Sequence, residues 1–252
     1  MKRFLIFTLV CLGSMTGMAQ TKPGVKAPVK KPITTQKTVV KKTVTPAKPV
    51  AKPRPVADKS IRVKITTDSG VIVVKLSDST PLHRDNFVKL VKQKFYDSLM
   101  FHRVIAAFMI QGGDPQSKYA PAGTMLGNGG GDMERIPAEF KTSLIHQKGA
   151  LAAARDGNPA RASSACQFYL VDGKVASDAE LNMLEARQGR KYTPEQRAIY
   201  KTVGGTPFLD MDYTVFGQVI SGMDVISKIA NVSKDGSNRP VGDVRMKMEV
   251  VK

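Results

Sequence analysis

At Ile61 the chain passes from a segment that cannot build a hydrophobic core to one that can, and this break fixes where any fold must lie. From Gln20 to Ser60 the sequence cycles through Lys, Pro, Thr and Val, as in KAPVKKPITTQKTVV and AKPVAKPRPV, and offers almost nothing large to bury. Such a stretch cannot offset the entropy of being ordered. Its prolines favour extended polyproline II and its lysines repel one another, which predicts a disordered, stretched linker over 20–60. Electrostatic adhesion of this linker to an anionic surface, such as lipid head groups, cell-wall polymer or nucleic acid, is the alternative reading. The formal charge of +18 divides accordingly, with +10 in residues 20–60, +2 in residues 1–19 and +6 in all that follows. A basic folded surface, and with it a specific nucleic-acid partner, therefore has little support.

Residues 1–19 join Lys2 and Arg3 to an apolar run from Phe4 to Leu12 and end in small residues at Gly17 and Ala19, the pattern of a cleaved signal peptide. Cleavage after Ala19 predicts an exported protein, periplasmic or secreted, that starts at Gln20. Lipid attachment at Cys11 is disfavoured by the bulk of Val10. No other run approaches the ~20 apolar residues that cross a bilayer. Loss of Cys11 leaves Cys166 alone, so the stability of the mature chain must come from its core and not from a disulfide.

Within residues 61–252, IRVKITT and VIVVKL are alternating β-branched runs around Asp68-Ser69-Gly70, which predicts a hairpin. Thr80 is placed to cap a helix that has Pro81 at its first position and Phe87, Leu90 and Val91 on one buried face. Strand-like runs follow at Met100–Val104, Phe108–Gln111, Gln167–Val171, Tyr213–Ile220 and Arg245–Val251, and a second helix fits Gly222–Ala230. Many strands, short turns and two regular helices predict a mainly β domain, a closed antiparallel barrel with helical covers. One section does not suit a compact barrel. Between Gly173 and Thr206, Ser177 to Glu180 and Thr193 to Gln196 read as capping boxes, predicting two inserted helices. Leu181, Met183 and Leu184 on the first would then face Ile199, Tyr200 and Val203 on the second.

Four blocks carry a family resemblance: FHRVIAAFMIQGGD at 101–114; LGNGGG at 126–131 with IPAEF at 136–140; GALAAAR at 149–155 with CQFYLV at 166–171; and FLDMDYTVFGQVISGMDVI at 208–226. In order and approximate spacing, apart from the 173–206 insert, the blocks resemble the cyclophilins, across residues 61–252. The resemblance implies an eight-stranded closed barrel capped by two helices. It also implies a peptidyl-prolyl cis-trans isomerase, here of a bacterial exported type, monomeric and without metal or other cofactor. Its substrates would be proline-containing unfolded or extended polypeptides, and its role protein folding. The second functional reading is a catalytically weak chaperone module that binds proline peptides, tethered to an anionic surface by the basic tail.

The chemistry can be argued physically. An X-Pro amide rotates slowly because its partial double bond raises a barrier of roughly 18–20 kcal/mol. Twisting removes that conjugation and makes the prolyl nitrogen basic, so a fixed donor aimed at it binds the transition state more strongly than the ground state. A guanidinium suits the task, being always charged and rigidly forked. The resemblance assigns this role to Arg103, with Gln111 beside it as the second catalytic residue. It lines a proline slot with Phe108, Met109, Tyr169 and Leu209, bordered by Phe208 and Tyr213. Gln111 and Gln167 would hydrogen-bond the substrate backbone, Ala154 and Arg155 would form an extended edge, and Gly127 would lie beside the groove. Strand alternation on its own shows only that Met109 shares a face with Gln111, and Gln167 with Tyr169. From periodicity alone, Phe108, Met109 and Leu209 read as core and Arg103 as a surface arginine.

Several positions depart from the family pattern. Tyr169 stands where phenylalanine is usual and Tyr213 where histidine is common. Phe208 replaces a tryptophan found in some members, which implies weak cyclosporin binding. Arg155 and Asp156 make the groove edge more polar. His83, His102 and His146 lack metal-ligand spacing and read as structural or surface residues, and Cys166 reads as a small buried hydrophobe. The glycines at 127–131 do not lead from a strand into a helix, so they fit a flexible rim better than a phosphate loop.

Overall fold

The structure, a computed structural model, describes residues 60–251. The expected signal peptide at 1–19, and all of the expected linker except Ser60, lie outside the described residues. Strands β1 (Arg62–Thr67) and β2 (Gly70–Leu76) form the expected hairpin, with Thr67 opposite Gly70 across the turn. The Thr67 hydroxyl accepts from the Ser69 N–H at 3.1 Å and donates to the Gly70 carbonyl at 3.0 Å, fixing the register. Alternate residues Val63, Ile65, Ile72, Val74 and Leu76 turn inward and are buried.

The remaining strands are β3 (Phe101–Ile105), β4 (Met109–Gly112), β5 (Ala150–Ala153), β6 (Phe168–Val171), β7 (Val215–Ser221) and β8 (Met246–Val251). All pairings are antiparallel, in the order β3-β4-β6-β5-β7-β2-β1-β8. The eight-stranded sheet curls strongly but is an open half-barrel, which corrects the expectation of a closed one. Its end strands β3 and β8 do not pair; the segments just before them meet at an isolated bridge, Met100 opposite Arg245, beside backbone bonds that join Met246 to Ser98 and Leu99. The gap has a physical cause. The loop leading into β8 takes the place of an eighth pairing, with the carbonyls of Asn238 and Val244 accepting the outward N–H groups of Val104 and Phe101, each at 2.9 Å.

Helix α1 (Pro81–Lys92) packs His83, Phe87, Val88, Leu90 and Val91 inward. Thr80 occupies the cap position, but its hydroxyl makes no capping bond. The carboxylate of Glu139 does that work, accepting the N–H groups of Leu82 at 3.1 Å and His83 at 3.0 Å from a position far along the chain. Phe87 is the hub of an aromatic cluster, with ring centroids 5.2 Å from Tyr96, 5.3 Å from Phe216 and 5.6 Å from Phe168. The fourth helix, α4 (Met223–Ala230), follows β7 and buries Val225, Ile226, Ile229 and Ala230.

The insert forms helices α2 (Asp178–Gln188) and α3 (Pro194–Thr202), and both expected capping boxes are present. Leu181 and Tyr200 are buried together with Ile145 and Tyr192, while Leu184 and Ile199 are partly buried against them. Met183 and Val203 do not join this contact; both are exposed. Met183 lies two residues from Leu181, on another face of the helix, and Val203 is past the last turn of α3. The insert leaves and rejoins the sheet at one point, because Lys174 and Gly205 exchange N–H and carbonyl at 2.9 and 3.3 Å.

Phe87→Ala should cost about 3–5 kcal/mol, since it empties a closely packed aromatic centre. Urea unfolding followed by circular dichroism should show a lower midpoint with an unchanged slope.

Candidate active site

Strand alternation gives β3 to β7 two apolar faces. Phe101, Val104, Ile110, Leu151, Phe168, Leu170 and Phe216 look into the main core. Met109, Ala150, Ala152, Ala154, Tyr169, Val171 and Val215 look the other way, and Phe108, Leu209, Tyr213, Ile105 and Leu144 pack partly buried on this second face. The four residues expected to line a slot, Phe108, Met109, Tyr169 and Leu209, are thus brought together. They pack on the outer face of the sheet, with the main core behind it, so the strands that carry them are held from below.

Arg103 stands at the rim of this apolar patch. Register places it opposite Gln111, which is itself opposite Tyr169. Its guanidinium carbon lies 5.9 Å from the Phe108 ring centroid, and its Nη1 donates to the Gln111 side-chain carbonyl over a long 3.4 Å. Among the described residues no carboxylate forms a salt bridge with it. The guanidinium is therefore positioned by neighbours but keeps donors and charge for another molecule.

The two glutamines differ in what they have left to offer. Gln111 donates to the Gln167 carbonyl at 3.1 Å. Gln167 is buried, and its amide nitrogen donates to the backbone carbonyls of Gly127 at 2.8 Å and Gly129 at 3.0 Å. Both of its N–H donors are spent within the protein, so its geometry is that of a brace for the glycine loop. The Gly127 N–H donates to Asp114 at 2.5 Å, so that loop is held at both backbone groups. Gly127 has φ of +110°, a conformation that disfavours any side chain, although an added Cβ would meet only His102 at an ordinary 3.6 Å.

The groove edge departs from a plain extended strand. The Ala154 N–H and carbonyl bond to Gln167 and Ser164, and Arg155 folds back, its guanidinium 4.6 Å above the Tyr213 ring with Nε donating to the Asp212 carbonyl. Asp156 chelates Arg135, which holds its carboxyl down at about 2. Arg135 and Asp156, with the glycine loop, Met133, Ala154, Ser164, Gln111 and Gln167, line a cleft of about 310 Å³ beside the apolar patch. Phe208 is exposed and lies 5.7 Å from Phe108, extending the wall.

All three histidines are buried. His83 bridges Glu139 at 2.7 Å and the Ser163 hydroxyl at 2.9 Å, an acid, base and hydroxyl in hydrolase order. Ser163 is only 1% exposed, so this arrangement clamps a loop to α1 and reaches no substrate. His146 links Asp210 to the Tyr169 hydroxyl. Neither Asp210 nor Glu139 stood out in the sequence, because each is a single acid whose partners are remote along the chain. Among the described residues no group of three or more His, Cys, Asp or Glu side chains is arranged to hold a metal ion.

The family model described as cyclophilin type peptidyl-prolyl cis-trans isomerase matches residues 62–250. A Staphylococcus haemolyticus protein named for peptidyl-prolyl cis-trans isomerase activity is 36% identical over 190 residues, covering 75% of this chain and 90% of that protein. A Staphylococcus aureus protein of the same name is 34% identical over 185 residues, covering 73% and 88%. A Cryptosporidium parvum cyclophilin type isomerase crystal structure aligns with a TM-score of 0.55 at 22% identity, covering 77% of this chain and 98% of that one. A second crystal structure under that description, obtained in the presence of the dipeptide Ala-Pro, aligns with a TM-score of 0.54 at 21% identity, covering 76% and 99%.

His102, next to Arg103, gives a pH dependence that can be measured. Burial lowers its pKa to about 4, with Asp114 opposing and Arg103 and Arg239 adding to the effect. The unfolded chain takes up this proton first on acidification, so stability present above about pH 6.5 is lost as pH falls toward 4, by up to about 3 kcal/mol. His102→Leu should therefore lose less stability than the unsubstituted protein between pH 7 and pH 5, as read from urea midpoints at the two values.

Proposed function

The chain belongs to the cyclophilin-type peptidyl-prolyl cis-trans isomerase family, and on that premise we propose that it accelerates X-Pro rotation in exported polypeptides and so assists their folding. The observation that carries the reading is Arg103, a guanidinium without a salt-bridge partner among the described residues, held at the rim of the apolar patch formed by Phe108, Met109, Tyr169 and Leu209. A proline ring seated on that patch brings its amide to the rim. As the amide twists, the prolyl nitrogen gains basicity and Arg103 donates to it, an interaction stronger in the twisted state than in either planar one.

The remaining roles follow from what each side chain has free. Gln111 keeps Arg103 in place and retains an N–H for the substrate backbone, while Gln167 holds the glycine loop at the groove margin. Arg155 and Tyr213 form a cation-π lid over one end of the patch, and Phe208 extends its wall. No step needs a nucleophile, a proton relay or a metal. Export is supported by the leader-like sequence of residues 1–19, and a spacer role by the Lys/Pro-rich composition of residues 20–60. The Phe208 side chain supports weak cyclosporin binding, by the family pattern at that position.

Arg103→Ala should lower kcat/KM for a short Ala-Pro peptide by about 10²–10³-fold, the scale for losing one preorganised donor. Exchange NMR or a protease-coupled assay measures it, and a folded unsubstituted protein that leaves the exchange rate unchanged would sink the enzyme reading. Deletion of residues 20–60 should leave kcat/KM on the same peptide within twofold, because the linker lies outside the domain that carries the site; a tenfold loss would refute the spacer role.

A further inference from the structure

The insert reaches the apolar patch through a polar chain centred on the buried Asp210 carboxylate. The Asp210 carboxylate accepts from the His146 ring nitrogen Nδ1 and from the His146 backbone N–H, both at 2.7 Å, on one oxygen. Its other oxygen accepts from the Tyr200 hydroxyl at 2.5 Å and from Arg190 at 2.8 Å, both contributed by the insert. A carboxylate can only accept, so His146 carries its hydrogen on Nδ1, and in the neutral ring Nε2 is left as an acceptor. The Tyr169 hydroxyl, 2.9 Å away, must then donate to it. Every member of the chain has its partner, with Asp210, His146, Tyr200 and Tyr169 all buried.

The same insert grips the wall beside the patch at two further places. The Tyr192 hydroxyl donates to the Pro207 carbonyl at 2.9 Å, and the Gln188 amide donates to the Phe208 carbonyl at 3.1 Å. The extra hydroxyl of Tyr169 would spoil an apolar slot if it pointed into it. It is instead drawn beneath the patch toward His146, whose ring stacks near-parallel at 6.0 Å.

We propose that the 173–206 insert is a brace for the proline slot: Tyr200 and Arg190 hold Asp210, Asp210 holds His146, and His146 holds Tyr169 so that the slot meets only its ring. His146, Asp210 and Tyr200 are positioning residues, and the property they set is affinity for the proline-containing segment. This rests on the isomerase reading for its substrate, but the orientation of Tyr169 can be read without it.

The test compares Tyr200→Phe, Tyr169→Phe and the double variant in the full chain. Tyr200→Phe deletes one hydroxyl, while Tyr192 and Gln188 still hold Pro207 and Phe208. Two readouts are taken: the Tyr169 ring resonances by NMR without peptide, and kcat and KM on an Ala-Pro peptide by exchange NMR. Tyr200→Phe should shift the Tyr169 ring resonances and raise KM roughly three- to tenfold, the scale of one lost hydrogen bond, with kcat within twofold. In the Tyr169→Phe background the same substitution should change KM less than twofold. Unchanged Tyr169 resonances, or an equal KM rise in both backgrounds, would overturn the proposal. Should Tyr200→Phe fail to fold, Arg190→Gln at its half-buried position replaces it, with the same expectations. If the unsubstituted protein shows no catalysis, the isomerase reading fails alone, and the Tyr169 resonances still decide the brace.

Discussion

Everything at the candidate site depends on the two-residue period of the strands. Along β4 and β6, each residue that enters the main core is followed by one that faces the substrate side, so Ile110 and Leu170 anchor the strands that display Met109, Gln111 and Tyr169. A one-residue slip would exchange the two sets and abolish both core and site. The inner aromatic cluster around Phe87 therefore has a role beyond stability. It fixes the level and tilt of a surface on which a weak, reversible contact must still be geometrically accurate.

Polar groups near that surface are arranged by the same economy. Gln167, Asp114 and Gly127 form a closed set of bonds that shapes the rim, while Arg103 and part of Gln111 are left uncommitted. Burial alone would push the Asp210 carboxyl up, but the hydrogen bonds from the His146 ring and backbone and from the Tyr200 hydroxyl more than offset it and keep the group ionised. A charged acceptor with four donors is a rigid node, and two chain segments distant in sequence meet there.

Local signals in the sequence were legible where the physics is local. The hairpin at Asp68-Ser69, both capping boxes in the insert, and the alternating strands were each read from short windows and are present. What escaped depends on remote partners. β5, Ala150–Ala153, is three alanines and one leucine, all buried, with no β-branched side chain to mark it as a strand. The capping of α1 by Glu139, the relay from Asp210 to Tyr169, and the spent donors of Gln167 all join residues far apart in the chain. The closed barrel was an over-extension of strand counting, since nothing in the β8 pattern tells whether its far edge meets a strand or a loop. The slot residues came from the family motif, as periodicity by itself would have assigned Met109 and Leu209 to the core.

The loop that fills the seam between β3 and β8 decides how a proline peptide can be held. Arg103 lies on an end strand, where an unpaired row of N–H groups would invite an incoming chain to add itself as a further strand. Asn238 and Val244 already occupy those donors. A polypeptide at this site is left with the face of the sheet and not its edge, and it gains a few side-chain contacts in place of a ladder of main-chain bonds. Side-chain contacts without such a ladder favour quick departure, which suits an isomerase that must release its proline segment after each rotation.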